Sequence, residues 1–503
     1  MANVHRGWGG RHWDGYVYHP PVRKADVTRL RRLGTGLARA LARAGIIEES
    51  RLLATVGLAW PRVVTGFAIM SKRTVDLAIV GIAVGPTAVA GLTLANAYWT
   101  IGKFAFIGLA GGTIALVSQN YGGGEPDRAS RVVEASLLAA VALALPVAGL
   151  FVAAARPMVA LVGQDPTVLD RGGAYLAFVA PGLVFEGINL VSSRTYAGTG
   201  DTTTPMVMRA GGAALNVVLS GAFVFGAGLG VVGAALGTTL STAAVAVAFA
   251  WGMTGRSYFG QGASTVPVRF GRLPEPALFR QLAALSLPLM ARRIAQAAVV
   301  FPLLAVAATF GPVAVAAVGV SRQVRGLLDS FGWGFSIAAS TLVGQALGAG
   351  DEALAEAYGR EITKLSLLVY VATALVVVGF ARPVAAVFVG GEDVRLTAAF
   401  VVVAAISVVP MGIDGSITGT LRGAGDTRVP FVATLAGLYL VALPVAWLGT
   451  VTALGVVALQ AALVAETAVP MVVNGARFAT GRWKAISREY RPGGTDADAE
   501  TAG

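Results

Sequence analysis

Apolar residues in this chain come in long runs rather than in stripes. Stretches such as Ala135 to Ala155 and Leu365 to Phe380 contain no charged group, and Gly, Pro and charge break them up at intervals from Leu52 onward. A helix needs about 20 apolar residues to cross a bilayer core, whereas a spanning strand needs about 10 in alternation. The runs therefore predict helices, and a β-barrel is rejected. Twelve spans fit, over residues 51–80, 87–118, 130–154, 168–195, 205–227, 230–253, 278–310, 313–345, 358–380, 396–421, 429–449 and 452–475. The fold class expected is an all-α integral membrane protein.

Composition agrees with that reading. Hydrophobic residues make up 55% of the chain and charged residues 13%, against about 25% charged in soluble domains. The 65 glycines are mixed with Ala, Ser and Thr through the apolar runs, as expected where helix backbones approach closely in lipid. Cysteine is absent, and the only histidines are His5, His12 and His19, all before the first span. Thiolate chemistry and a buried histidine base or histidine metal cluster are thus excluded, so neither an enzyme nor a resident cofactor is expected. The net charge of +12 is explained by basic residues kept on the cytoplasmic side, and no nucleic acid partner is implied.

Basic clusters follow the even-numbered spans: Arg128 with Arg131, then Arg256, Arg269, Arg272 and Arg280, then Arg360 with Lys364, and finally Arg482, Lys484, Arg488 and Arg491. Both termini are then cytoplasmic, in a multi-pass protein of the cell membrane. Arg156, Arg171, Arg382 and Arg395 fall on the outer side and run against the rule. The expected organisation is a basic tail over 1–50, an N-lobe over 51–255, a cytoplasmic linker over 256–277, a C-lobe over 278–478 and a tail over 479–503. Within the first tail, leucines at helical spacing between Arg29 and Ile47 predict a basic amphipathic helix, lying on lipid headgroups or in solvent.

The chain repeats itself at a fixed offset. Gly85-Pro86 recurs as Gly311-Pro312, Gln119 as Gln345, and Ala155-Arg156-Pro157 as Ala381-Arg382-Pro383, each 226 residues on. Gly198-Thr199-Gly200-Asp201-Thr202 recurs as Gly423-Ala424-Gly425-Asp426-Thr427, 225 residues on. Each copy holds six spans, so the two lobes share an orientation and a cavity is expected between them.

These landmarks carry a resemblance. The Gln119-Asn120-Tyr121-Gly122 segment, its copy at Gln345, the paired Gly-x-Gly-Asp-Thr turns and the Thr74-Val75-Asp76-Leu77-Ala78-Ile79-Val80-Gly81 stretch resemble the multidrug and toxic compound extrusion family, over about residues 50–478. The resemblance implies a cation-coupled antiporter with a V-shaped fold of twelve helices.

An ionisable residue inside a span is a functional hypothesis by default. Asp76 is the leading case, fifteen residues after Pro61, a proline expected to bend the first helix and free a carbonyl. The resembling family has this spacing, with the aspartate in proton or sodium coupling. A structural salt bridge to Lys72 or Arg73 is the alternative. The resemblance also points to Asn216, Ser220 and Thr238 as lining the ion site, with Na+ bound at Asp76, Asn216 and Thr238 as one option. Relatives typically carry a second aspartate where this chain has Ser220, which puts sodium in doubt. Tyr175 borders the site or is simply packed. The repeat counterparts of Asp76, Asn216, Ser220 and Thr238 are Pro302, Val441, Val445 and Leu463, so the polar set belongs to the N-lobe alone.

Candidate cavity residues are Gln296, Arg322, Arg325, Asp329, Asp414 and Glu186. Arg322, Arg325 and Asp329 share a face of span 8, and their spacing lets Arg325 and Asp329 pair as an internal salt bridge. Asp414 or Glu186 would attract a cationic substrate, while Arg292 and Arg293 argue the other way. The Gly-x-Gly-Asp turns lack the Gly-Lys-Ser/Thr of a P-loop. The function expected is export of a small amphiphilic compound, a drug or organic cation, in exchange for H+ or Na+ by alternating access. A flippase for polyprenyl-linked saccharides is the alternative, and a magnesium-dependent prenyl transferase is excluded by the lack of an Asp-Asp pair in any span. Substrate and membrane lipids are the expected partners of a monomer.

Overall fold

A computed structural model describes residues 41–161, 165–257, 263–269, 271 and 273–490. Ten of its helices are long and apolar enough to cross a membrane, and a bent pair makes an eleventh crossing. The twelfth is the helix Pro312–Gly348, 37 residues long, which carries Arg322, Arg325 and Asp329. In chain order spans 1 to 6 are Glu49–Val84, Pro86–Gly122, Pro126–Ala153, the pair Pro166–Val179 with Gly182–Gly198, Thr203–Gly226 and Gly230–Met253. Spans 7 to 12 are Pro276–Ala308, Pro312–Gly348, Glu352–Gly379, Asp393–Gly423, Arg428–Val451 and Val456–Ala479.

Local chemistry sets the joints. Prolines open spans 2, 3, 4, 7 and 8, where the first N–H of a helix has no internal partner to lose. Gly85 and Gly311, which immediately precede spans 2 and 8, have φ of 99° and 96°, values that glycine adopts freely. Each lets the chain reverse into the proline that follows.

Pro61 does not break span 1, which runs as one helix through it. The carbonyl of Gly57, four residues earlier and deprived of its usual donor, lies 3.4 Å from the Thr202 hydroxyl. The Thr65 hydroxyl donates to the carbonyl of Pro61 itself at 2.8 Å. A 50° break lies between the two halves of span 4.

Spans 1–6 and 7–12 form the two lobes, which meet through span 1 against span 8, span 7 against span 2, and span 2 against span 8. The contacts at one end pair the repeat landmarks across the interface. The Gln119 side chain donates to the Gly423 carbonyl at 2.7 Å, and its copy Gln345 donates to the Gly198 carbonyl at 2.9 Å. Each glutamine therefore bonds the Gly-x-Gly-Asp turn of the opposite lobe. Gly122 and Gly348 are reciprocal too: a Cβ on Gly122 would lie 2.2 Å from the Gln345 carbonyl oxygen, and one on Gly348 would lie 1.9 Å from that of Gln119.

Residues 1–40, with the three histidines and most of the amphipathic helix expected over Arg29–Ile47, lie outside the described residues. The described end of that segment docks on the C-lobe: Leu41 and Ile47 are buried with Phe335 and Ile362, and the Lys364 ammonium donates to the Gly45 carbonyl at 3.0 Å. At the other terminus the helix Trp483–Tyr490 buries Trp483 in the C-lobe. Its Lys484 and Arg488 pair with Glu356 and Glu352 at 2.5 and 2.9 Å.

Candidate functional site

Most of the candidate residues gather in two polar centres inside the helical bundle. The first is in the N-lobe, where span 1 presents Asp76, span 5 presents Asn216 and Ser220, and span 6 presents Thr238, all buried. One orientation of the Asn216 amide satisfies all its neighbours. Its nitrogen donates to both carboxylate oxygens of Asp76, at 2.9 and 3.1 Å, and its oxygen accepts from the hydroxyl and the backbone N–H of Thr238 at 3.1 and 3.2 Å. Ser220 and Thr238 also bring their hydroxyls close to the carboxyl of Asp76. Tyr175, buried on span 4, reaches Thr238 and Asn96 with its hydroxyl. The five residues singled out for an ion site are thus neighbours.

Among the described residues neither Lys72 nor Arg73 makes an ion pair with Asp76. Lys72 acts on the carboxylate through space, and Arg73 is exposed. The network satisfies a charged carboxylate with neutral donors, which is how a membrane interior accommodates one negative charge.

The second centre is a cavity of about 290 Å³ between the lobes. Gln296, Arg322, Arg325, Asp329 and Asp414 all line it. Glu186 does not. It sits within the N-lobe, held by both guanidinium nitrogens of Arg209 at 3.0 and 2.9 Å and by Lys103 at 2.6 Å.

The internal pair expected on span 8 does not form. Arg325 pairs with Glu466 of span 12 at 2.6 Å, and Arg322 takes the other oxygen of the same carboxylate at 2.6 Å. Two arginines against one buried glutamate outweigh a single i, i+4 contact, because the carboxylate gains two charge-assisted bonds at once. Asp329 accepts instead from the Trp333 indole N–H at 2.7 Å. Asp414 is held by Arg292 at 2.8 Å and by the Asn474 amide at 2.7 Å. Two arginines stand over the Trp333 ring, Arg62 of span 1 at 5.0 Å and Arg293 of span 7 at 5.2 Å from its centroid.

Sequence reasoning passed over Arg194, Arg422 and Glu466, which also line the cavity. The signal was present, since each is an ionisable residue inside a span, the property that singled out Asp76.

Comparison with known proteins places the chain in a family. The MatE family model matches residues 61–221 and 288–448, one match in each lobe. A curated relative from Bradyrhizobium diazoefficiens, named a probable multidrug resistance protein NorM, is 28% identical over 410 residues, covering 78% of this chain and 85% of its own. The multidrug resistance protein NorM of Burkholderia vietnamiensis is 24% identical over 438 residues, covering 84% of this chain and 93% of its own. Among solved structures, a MATE protein in a bent conformation aligns with a TM-score of 0.80 at 20% identity, over 88% of this chain and 97% of that one. A MOP superfamily transporter from Pyrococcus furiosus, described as having a binding pocket of reverse polarity, aligns with a TM-score of 0.78 at 21% identity, over 86% and 96%.

Proposed function

Because the chain belongs to the MatE family of membrane transporters, we propose that it exports amphiphilic organic compounds across the cell membrane by antiport, with Asp76 as the site of the coupling ion and the proton as that ion. Its relatives in Bradyrhizobium diazoefficiens and Burkholderia vietnamiensis are named as multidrug resistance proteins. The observation that carries the reading is the buried network of Asp76, Asn216, Ser220 and Thr238, present in one lobe and replaced by Pro302, Val441, Val445 and Leu463 in the other. Packing alone would ask the same of both copies of the scaffold.

Several features favour the proton. An ionised carboxylate only accepts hydrogen bonds, and both oxygens of Asp76 already receive the Asn216 N–H. Protonating one oxygen turns an acceptor into a donor and sets it against that N–H, so the tie between spans 1 and 5 must rearrange. Sodium would need several oxygens turned inward, but the Asn216 oxygen faces Thr238 and Ser220 brings no second charge.

Span 1 also touches the opposite lobe, through Arg62 over Trp333 and through the edge of Phe67 against Phe331 at 6.3 Å. A proton at Asp76 and a substrate in the cavity therefore act on one helix. Coupling arises when they favour opposite conformations. With the basic clusters on the cytoplasmic side, the end sealed by Gln119 and Gln345 is cytoplasmic and the present state faces outward.

The test is dye flux from proteoliposomes under a pH gradient, a sodium gradient or neither, for the native protein and Asp76→Asn. A flux driven by the pH gradient and lost in the variant is expected. Flux that follows sodium alone would replace the ion, and gradient-driven flux unchanged by Asp76→Asn would remove the site. A flippase for lipid-linked saccharides is the second reading, favoured by one observation: among the described residues, six arginines line the cavity against three acids.

A further inference from the structure

We propose that the cavity between the lobes receives an oxyanion, the phosphate, sulfate or carboxylate group of an amphiphilic substrate, seated among Arg194, Arg293 and Arg422. The inference rests on the transport reading above and names the substrate class for it.

The lining charges do not balance. Two of the three acids are spent: Asp414 is paired with Arg292, and Glu466 is shared by Arg322 and Arg325. Arg194, Arg293 and Arg422 remain without a carboxylate in ion-pair contact among the described residues. Arg422 donates to the Ser336 carbonyl at 2.9 Å and the Ser340 hydroxyl at 3.2 Å, both neutral. Arg293 donates to the Gln296 side-chain oxygen at 3.1 Å.

Arg194 makes neither a hydrogen bond nor an ion pair among the described residues, and the charged groups that act on it most strongly are all cations: Arg62, Arg422, Arg209 and Arg293. It also lines a second, smaller cavity, next to Arg62 and Arg209. The third acid, Asp329, is occupied by the Trp333 indole and lies in the field of Arg62 and Arg293. A cation entering here would meet one carboxylate behind several guanidinium groups.

An unpaired guanidinium out of water is costly, and the cost falls when an oxyanion takes its donors. The planar fork of arginine matches the paired oxygens of a phosphate or carboxylate. Placement supports the same conclusion. Arg194 belongs to the N-lobe, while Arg293 and Arg422 belong to the C-lobe, so one anionic group would bridge both moving bodies. Ile107, Ile337, Met411 and Leu438 give the same cavity apolar walls for the rest of the molecule. The anion could reach these arginines as a soluble organic anion or as the headgroup of a lipid phosphate.

The experiment uses the full chain in nanodiscs and two dyes built on one xanthene ring, carboxyfluorescein as the anion and rhodamine 6G as the cation, with binding read by fluorescence anisotropy. The anion is expected to bind at least about tenfold more tightly than the cation. Arg293→Gln and Arg422→Gln should each weaken the anion by about tenfold, the worth of one charge-assisted bond. Arg293→Lys should recover part of the loss, which separates a binding role from a folding defect. Competition then identifies the source: displacement by octyl phosphate points to soluble anions, displacement by a long-chain lipid phosphate in the disc points to headgroups, and displacement by both supports the site for either. Preferential binding of rhodamine 6G, anion binding unchanged in the arginine variants, or failure of both phosphates to compete would overturn the proposal. Rhodamine flux dependent on Asp76, with no anion binding, would remove this inference and leave the antiport reading standing.

Discussion

Removing the two glutamines that cross the lobe interface should open the sealed end. In Gln119→Ala the Gly423 carbonyl loses a donor at 2.7 Å, and in Gln345→Ala the Gly198 carbonyl loses one at 2.9 Å. A buried acceptor left without its partner costs about 1–3 kcal/mol. The bonds join different residue pairs, so the double variant should lose about 2–6 kcal/mol from the closed state. Even the lower figure changes the equilibrium by about thirtyfold. A closed population of about 99:1 would become about 3:1, with roughly a quarter of the molecules open.

The chain contains no cysteine, so spin labels at Asp127→Cys and Ala353→Cys report without background. Both sites are exposed, and they begin the equivalent spans 3 and 9. Pulsed electron-electron distance measurement should give one short distance in the otherwise native chain and a second, longer one in the double variant. A single unchanged distance would refute the assignment of these bonds as the closure.

The glycines at the same interface give a steric version of the experiment. Gly348→Ala puts a methyl 1.9 Å from the Gln119 carbonyl oxygen, too close to fit without moving a backbone, so the same label pair should again show the longer distance; a native distance would mean that the interface yields locally. Glu466→Gln leaves Arg322 and Arg325 without their shared counterion, beside a side chain only 2% exposed. A loss of about 3–5 kcal/mol is expected, read as a lower midpoint of thermal unfolding in detergent, and an unchanged midpoint would show that water or Asp329 takes over.

The spans and the repeat were legible because a bilayer forces both into the sequence: continuous apolar length, and joints where Gly85 and Gly311 must take positive φ. Asp76 was legible for a related reason, since a charge inside a span is rarely accidental. What could not be read was direction. A helix that is apolar all round has no stripe to show which way Arg194, Arg422 or Glu466 points, and their grouping depends on how spans 4, 7, 8, 10 and 12 turn toward one cavity. The expected Arg325 to Asp329 pair failed for the same reason, because spacing along one helix gave no hint of Glu466 on another. Gln119 and Gln345 were visible as landmarks of the repeat. That each bonds the turn of the opposite copy follows only once the two lobes face each other.

The central claim is that one exchangeable proton resides on Asp76 and that substrate binding expels it. It is tested most directly by adding substrate to purified protein in weakly buffered detergent and recording proton release with a pH indicator. Release of about one proton per chain is expected from the native protein and none from Asp76→Asn. Equal release from both proteins would place the proton elsewhere and contradict the claim.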